Sequence, residues 1–297
     1  MLPAECGGCG RPRTVLCPEC RAALSGAAPC RVRPVPEPPG LPVVHAAARY
    51  ADEVRAMLLA HKERGALALT APLGAALAGA VRAGLGEAGC GCVGEEWVGG
   101  SETPAVGARL GGAVQVRPPA SGTQTWARGD LSGSAPVLLV PVPSAGGAVR
   151  ARGHDPARRI ALAAAGELRR TGTPARVLAV LRQKRAVADQ SGLNSRQRLD
   201  NLAGALAVAP GGAGLLRGGR VVLVDDLMTT GASLTEAARA VRAAIHGHAH
   251  VDPRRSVYAA LSRADGGQRM TGSSDAVDVI CAAVVAASPD SFEINRN

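Results

Sequence analysis

The chain has 297 residues, 46% of them apolar, and a formal net charge of +10. That length allows one large domain plus a small one, or two modest domains, and the apolar share is ample for a buried core. Only five aromatic residues occur, which argues against a stacking platform for single strands and leaves Ala, Val and Leu to build the core.

The basic excess suits a polyanionic partner, either a phosphate-bearing small molecule or nucleic acid held by phosphate contacts; it also suits a solubilising surface. Arginine far outnumbers lysine, as coding bias in a GC-rich genome would produce, and lysine stands only at Lys62 and Lys184. The N-terminus runs into cysteines without an apolar core, so no secretory signal is expected.

Residues 1–26 form a cysteine unit. Four of the eight cysteines are compressed into Cys6-Gly-Gly-Cys9 and Cys17-Pro-Glu-Cys20; such compression suggests metal rather than disulfides in a reducing compartment. Each CxxC turn sets two thiolates on one side, and four complete a tetrahedral zinc site of the structural kind, which supports folding or a partner surface rather than catalysis. Cys30 is spare.

Pro29–Pro42 reads as a proline-rich extended stretch within a linker over 27–48. Tyr50–Gly65 reads as a helix, with Val54, Met57 and Leu58 on one face and Gly65 closing it. Ala66–Leu85 continues helically with a break near Pro72. Gly86–Pro136 is rich in Gly, Ser, Thr and Pro without a steady period and is expected to be a flexible insertion carrying Cys90 and Cys92. The long uncharged stretches Gly65–Val81 and Leu131–Val149 read as buried elements rather than membrane spans, so the expectation is a soluble, cytoplasmic protein.

From Val137 strands and helices alternate. The expected strands are Val137–Val140, Arg176–Leu181, Arg220–Val224, Ser256–Leu261 and Val277–Val285. Asp155 caps a helix with Pro156 at its first position, running to about Arg169, and a second helix runs from Ala232 to about Ile245. Arg182–Asn201 is polar, charged and irregular. Valine-rich runs alternating with helices predict an α/β fold, a parallel sheet flanked by helices.

The segment Val221-Val222-Leu223-Val224-Asp225-Asp226-Leu227-Met228-Thr229-Thr230-Gly231-Ala232-Ser233 reads as strand, acid pair, turn and helix start. Main-chain N–H groups from Thr229 to Ser233 can converge on one phosphate at the helix N-terminus. Gly231 permits close backbone approach, and Thr230 and Ser233 add hydroxyl donors. Two carboxylates beside a phosphate cradle must face another part of the ligand; the vicinal hydroxyls of a ribose meet that need, as does a magnesium ion.

This stretch resembles the phosphoribosyl pyrophosphate (PRPP) signature of type I phosphoribosyltransferases. The resemblance implies that Asp225 and Asp226 bind ribose hydroxyls and that Thr229, Thr230, Gly231, Ala232 and Ser233 hold the 5-phosphate. Thr229 stands where 6-oxopurine members have an aspartate, which argues against a hypoxanthine or guanine enzyme. Val142, Pro143 and Ser144, after the first of these strands, occupy the place of the pyrophosphate loop. Arg150, Arg152, Arg158 and Arg159 fit either a pyrophosphate clamp or a solvated helix face. Arg182, Lys184, Arg185, Gln190, Arg196 and Arg198 fit either a closing hood or a solvated loop.

The pairing of a four-cysteine knuckle with such a loop resembles the ComF-type competence family. Tyr50-Ala-Asp-Glu-Val-Arg with His61-Lys62-Glu63-Arg64-Gly65, the Pro-Val-Pro turn, Arg152-Gly153, and the spacing of Gln190, Leu193, Arg196 and Asn201 also match. The chain departs at His154-Asp155-Pro156, where the family often has Phe-Asn-Gln, and in its longer insertion. The resemblance implies a phosphoribosyltransferase-like domain over 49–297 that binds PRPP with magnesium. It also implies a link to uptake or cytoplasmic handling of single-stranded DNA with competence machinery proteins. The alternative is an active phosphoribosyltransferase of nucleotide metabolism with an unidentified acceptor.

Overall fold

The computed structural model describes residues 5–89, 135–144, 149–150, 152–185, 195–247 and 279–295. Most of the expected insertion, with Cys90 and Cys92, lies outside them. So do Gln190, Leu193, the expected strand Ser256–Leu261 and the first two residues of Val277–Val285.

Among the described residues the fold is α/β, with a six-stranded sheet in the order β1-β2-β8-β7-β3-β4. The strands are β1 (Cys30–Val32), β2 (Val44–Arg49), β3 (Val137–Pro141), β4 (Ala175–Val177), β7 (Arg220–Met228) and β8 (Val279–Ala287). All neighbours pair in parallel except β1, which runs antiparallel to β2. A separate antiparallel pair is made by β5 (Leu181–Gln183) and β6 (Leu206–Val208). The helices are α1 (Pro18–Ser25), α2 (Asp52–Glu63), α3 (Thr70–Gly89), α4 (Pro156–Arg170), α5 (Ser195–Leu202), α6 (Gly212–Leu216) and α7 (Ala232–Gly247).

Alternation along the central strands divides the core into two layers. Val222 and Val224 pack with Leu139 against Ile160, Ala161, Ala164 and Leu168 of α4, and with Met57 of α2 and Leu73 of α3. Val221 and Leu223 pack with Leu138 and Val140 against Leu234, Ala237, Ala238 and Val241 of α7. Both faces of the strands are therefore covered, which is why they read as unbroken apolar runs. Leu223 is fully buried; its truncation to Ala would cost about 2–5 kcal/mol.

α4 begins as the sequence predicts. Asp155 Oδ1 accepts from Arg158 N at 3.2 Å and Pro156 opens the helix, so one orphan amide is satisfied and the other position has none to satisfy. The break in the Ala66–Leu85 stretch lies earlier than Pro72, at a 3-10 turn over Leu67–Leu69. Pro72 falls in the first turn of α3, where its missing N–H has no helical partner to lose. Residues Leu67–Gly86 are long and apolar enough to cross a membrane, and half of that stretch is buried within the fold. Leu73, Leu77 and Val81 belong to the same core layer as α4 and β8.

Three local expectations change. Arg176–Leu181 is not one strand: β4 stops at Val177, and Leu181 starts β5 in the other sheet. β4 is an edge strand whose partner β3 runs into Pro141-Val142-Pro143, two residues without amide donors. Arg220–Val224 extends to Met228, because β8 continues to pair with it as far as Met228↔Ala287. β1 and all of β2 but Arg49 fall inside 27–48, the stretch expected as linker, and both strands join the main sheet.

Candidate ligand site and metal centre

β3 and β7 lie side by side and parallel, in the register Pro141↔Val224. After β3 the chain crosses through α4 on one face to β4; after β7 it crosses through α7 on the other face to β8. The two crossovers leave in opposite directions across the sheet. A crevice opens at the carboxyl ends of strands at such a switch point, and this is where ligands of open α/β sheets bind.

Both loops named from the sequence leave from this crevice. Val142 N donates to Val224 O at 2.9 Å, so Val142, Pro143 and Ser144 start beside the strand that carries the acid pair. Thr229, Thr230 and Gly231 join β7 to α7, and Ala232 is the first helical residue. Gly231 has φ +76 and is buried, a conformation that side chains with a Cβ rarely adopt. A Cβ there would also come 3.1 Å from Leu41 and 3.4 Å from Pro34, so the Pro-rich stretch braces the outside of the loop. Thr235 returns both its amide (2.9 Å) and its hydroxyl (3.0 Å) to Gly231 O. From β8, Ser288 N donates to Met228 O at 2.9 Å. The loop backbone is thus fixed from three sides, and Thr229 stays exposed.

The acid pair sits within β7. Asp225 Oδ1 accepts from Asp226 N at 2.8 Å, while Asp226 Oδ2 lies 3.2 Å from Lys62 Nζ at the end of α2. Desolvation, and then the neighbouring Asp226 carboxylate, push the Asp225 carboxyl well above the usual range, with Lys62 pulling the other way. Asp226 in turn raises the Lys62 ammonium. Sequence reading marked Lys62 by its rarity and missed its role as counter-ion.

Two histidines, His61 and His154, meet beside Lys62, and no spacing along the chain marks either as a site residue. His61 is buried, its Nε2 3.1 Å from Thr70 Oγ1 and its ring edge-on to His154 at 5.9 Å. Burial, then His154, bring the His61 imidazole down to about 4. Arg152 NH1 lies 3.5 Å from Glu63 Oε1, which puts Arg152 beside the end of α2. Arg150, Arg158 and Arg159 are exposed.

Two arginines of the stretch that fits either a hood or a solvated loop are tied to main-chain carbonyls. Arg182 donates to Ala179 O (2.9 Å) and Leu181 O (3.2 Å), and Arg185 to Asn201 O (2.8 Å) and Ala203 O (3.1 Å) at the end of α5. Lys184 is exposed on the turn after β5, its amide bonded to Ala205 O at 2.8 Å. This hairpin is tied to α7 by buried Glu236, which accepts from Leu206 N (2.9 Å) and from Arg239 (2.6 and 2.7 Å).

A concavity of about 640 Å³ also lies on the outer side of α7, lined by Gly40, Leu199, Ala232, Thr235, Arg239 and His246 among others. Its size suits a small ligand, but neither aspartate nor either threonine of the loop lines it.

The four cysteines come together away from this crevice. Cys6, Cys9, Cys17 and Cys20 place their sulfurs within 4.8 Å of one another, positioned to hold a metal ion. Cys9 and Cys17 sulfurs are 3.6 Å apart, against an edge of about 3.8 Å for a zinc tetrathiolate with bonds of about 2.3 Å. Cys17 N donates to Cys6 Sγ at 3.4 Å and Cys20 N to Cys17 Sγ at 3.5 Å. Burial opposes ionisation of Cys6, yet the backbone donors of Cys17, Cys9 and Gly8 outweigh it and bring the thiol to about 6. A Cβ on Gly8 would meet Cys20 Sγ at 2.6 Å and Glu53 at 3.2 Å, so glycine lets the knuckle close against α2. Glu53 and Lys62 are nine residues apart, about 14 Å along a helix. α2 therefore runs from the cysteine cluster to the acid pair.

No protein-family model matches this chain, and none of the curated proteins compared with it matches.

Proposed function

We propose that the crevice between β3 and β7 binds PRPP, and that the protein is a ComF-like member of the phosphoribosyltransferase class acting in competence and the cytoplasmic handling of incoming single-stranded DNA. The observation that carries this reading is the adjacency of two loops at one switch point, one after Pro141 and one after Met228, with an acid pair at the base of the second. The backbone of Thr229, Thr230, Gly231, Ala232 and Ser233 would hold the 5-phosphate at the start of α7, where the helix dipole favours an anion. Asp225 and Asp226 would take ribose hydroxyls. Val142, Pro143 and Ser144, with Arg152 nearby, would take the pyrophosphate. Exposed Lys184 on the β5–β6 hairpin would approach from above.

Magnesium, when bound, neutralises phosphate charge and polarises the pyrophosphate. Lys62 already stands against Asp226, and among the described residues the acid pair belongs to no cluster of three metal-binding side chains. That arrangement suits an ion carried in on PRPP oxygens rather than a dedicated protein site. The cysteine cluster would hold zinc as a structural ion.

Calorimetry with PRPP plus magnesium tests the proposal. Binding by the wild type and its loss in an Asp225→Ala, Asp226→Ala double variant is the expected result, and no heat from the folded wild type overturns it. Pyrophosphate release in a screen of bases and nucleotides would move the protein to an active transferase with an acceptor to be identified. Salt-sensitive single-strand binding, carried by phosphate contacts, is the expected mark of the DNA role.

A further inference from the structure

His154 stands half-buried just after Gly153, and both of its ring nitrogens meet main-chain carbonyls. Nδ1 is 3.1 Å from Arg152 O and Nε2 is 3.3 Å from His61 O. A carbonyl oxygen only accepts, and a neutral imidazole has a single N–H with a lone pair on its other nitrogen. One contact of the two would then set lone pair against lone pair. Only the imidazolium donates to both.

The carbonyl at His61 is free for this bond because of how α2 ends. The amides of Arg64 and Ala66 both return to Ala60 O, at 3.2 and 3.0 Å, in the manner of a helix terminus that closes one residue earlier. His154 thus supplies a donor to the His61 carbonyl, and its charged ring adds positive charge at the negative end of the helix dipole. The next residue of α2 is Lys62, against Asp226; the residue held at the other nitrogen is Arg152, beside Glu63.

We propose that His154 is a positioning residue, a protonated clasp whose two N–H groups join the Arg152 turn to the end of α2 and so set Lys62 and Arg152 at the ligand crevice. Loss of one proton opens one side of the clasp. From α2 it is faced by the His61 ring, edge-on at 5.9 Å, and from its own turn by Arg152, whose guanidinium lies beside Glu63. Arg159 of α4 and Asp226 of β7 act on its neighbour His61. Burial holds His61 neutral beside it. An anion in the crevice favours the charged ring, and by reciprocity the charged ring favours the anion. The ligand side of the proposal rests on the PRPP reading; the clasp itself does not.

Two measurements on the full chain test it. In the wild type, imidazole ¹⁵N spectra at about pH 6 should show both His154 nitrogens protonated, and their titration should move the Lys62 and Arg152 amide signals together. A single neutral tautomer at that pH, or amide signals that ignore the titration, overturns the clasp. By calorimetry, PRPP affinity of the wild type should fall by about tenfold more between about pH 6 and pH 8 than that of His154→Gln. That variant reports the ligand's own ionisation and keeps an amide that can donate to only one side. Equal pH dependence in the two proteins overturns the positioning role. If neither protein binds PRPP while the ¹⁵N titration still moves Lys62 and Arg152, the functional reading fails and the clasp stands.

Discussion

Lys62 Nζ lies 3.2 Å from Asp226 Oδ2, and Lys62 is one of two lysines in the whole chain. The contact fastens the last turn of α2 to the strand that bears the acid pair. Its loss leaves Asp226 beside Asp225 with no cation between them and the solvent. Lys62→Met is therefore expected to lower stability by about 1–2 kcal/mol, less than a fully buried pair costs because the lysine is a third exposed. Urea denaturation of the two proteins at one pH checks this, and an unchanged midpoint would remove the pair from the list of structural contacts.

Asp225 carries the opposite expectation. Burial and Asp226 hold its carboxyl well above the usual range, so the folded protein binds a proton there more tightly than the unfolded chain. Stability then falls as pH rises above the unfolded carboxylate value. Asp225→Asn keeps the oxygen that accepts from Asp226 N and removes the cost of ionisation. It should raise stability at neutral pH by about 1–2 kcal/mol while abolishing PRPP binding. A variant that is less stable than wild type at neutral pH would contradict this account.

His61 sets an acid limit. Its imidazole is held down to about 4 by burial and by His154, so the unfolded chain takes up a proton that the folded one refuses. The stability this supports is complete above the ordinary histidine value near 6.5 and is lost as pH falls toward 4. His61→Gln should flatten the decline over that window by on the order of 2 kcal/mol. The check is a series of denaturation curves across it; parallel declines in both proteins would show that another group sets the limit.

The cysteine cluster is part of the main core. Cys6, Cys17 and Cys20 are buried in the same layer as Met57, Leu73 and Val224. Removing the metal, or changing Cys9→Ser at the exposed ligand, should therefore lower the unfolding temperature of the whole chain rather than melt a separate knuckle. Calorimetry with and without a chelator, together with metal analysis for one zinc per chain, decides the matter. Two separate transitions would mean that the knuckle folds by itself.

Glu236 holds the β5–β6 hairpin to α7 by its bonds to Leu206 N and Arg239. Glu236→Ala leaves a buried amide without its acceptor, at a cost of about 2 kcal/mol. Amide exchange at Leu206 should quicken more than exchange at Leu223 of the central strand. Uniform quickening would indicate global loosening instead.

Much of the site was legible because its determinants are local. The run from Val221 to Ser233 names its own strand, turn and helix start, and Asp155-Pro156 names its own cap. Local pattern also carried the two CxxC turns. What escaped depends on partners distant in sequence. His45-Ala46-Ala47-Ala48 has no large apolar residue and no alternation, and β2 exists because β1 and β8 supply its hydrogen bonds. The same is true of Arg220–Met228, whose last four residues are extended by pairing with β8 rather than by propensity. Lys62, His61 and His154 gain meaning only once α2 is laid against β7, which no spacing along the chain encodes.

β2 lies between β1 and β8, and among the described strands β8 is the last to be synthesised. At ordinary ribosomal rates roughly 10 to 50 seconds separate the appearance of Arg49 from that of β8. Through that interval the Ala-rich β2 has one paired edge and one open edge, and the cysteine cluster and α3 lack part of the layer they will pack against. Early capture of a metal ion by the first twenty residues would give the emerging chain a fixed point around which to wait. Metal supply during translation, more than afterwards, would then govern how much of the protein reaches its native state.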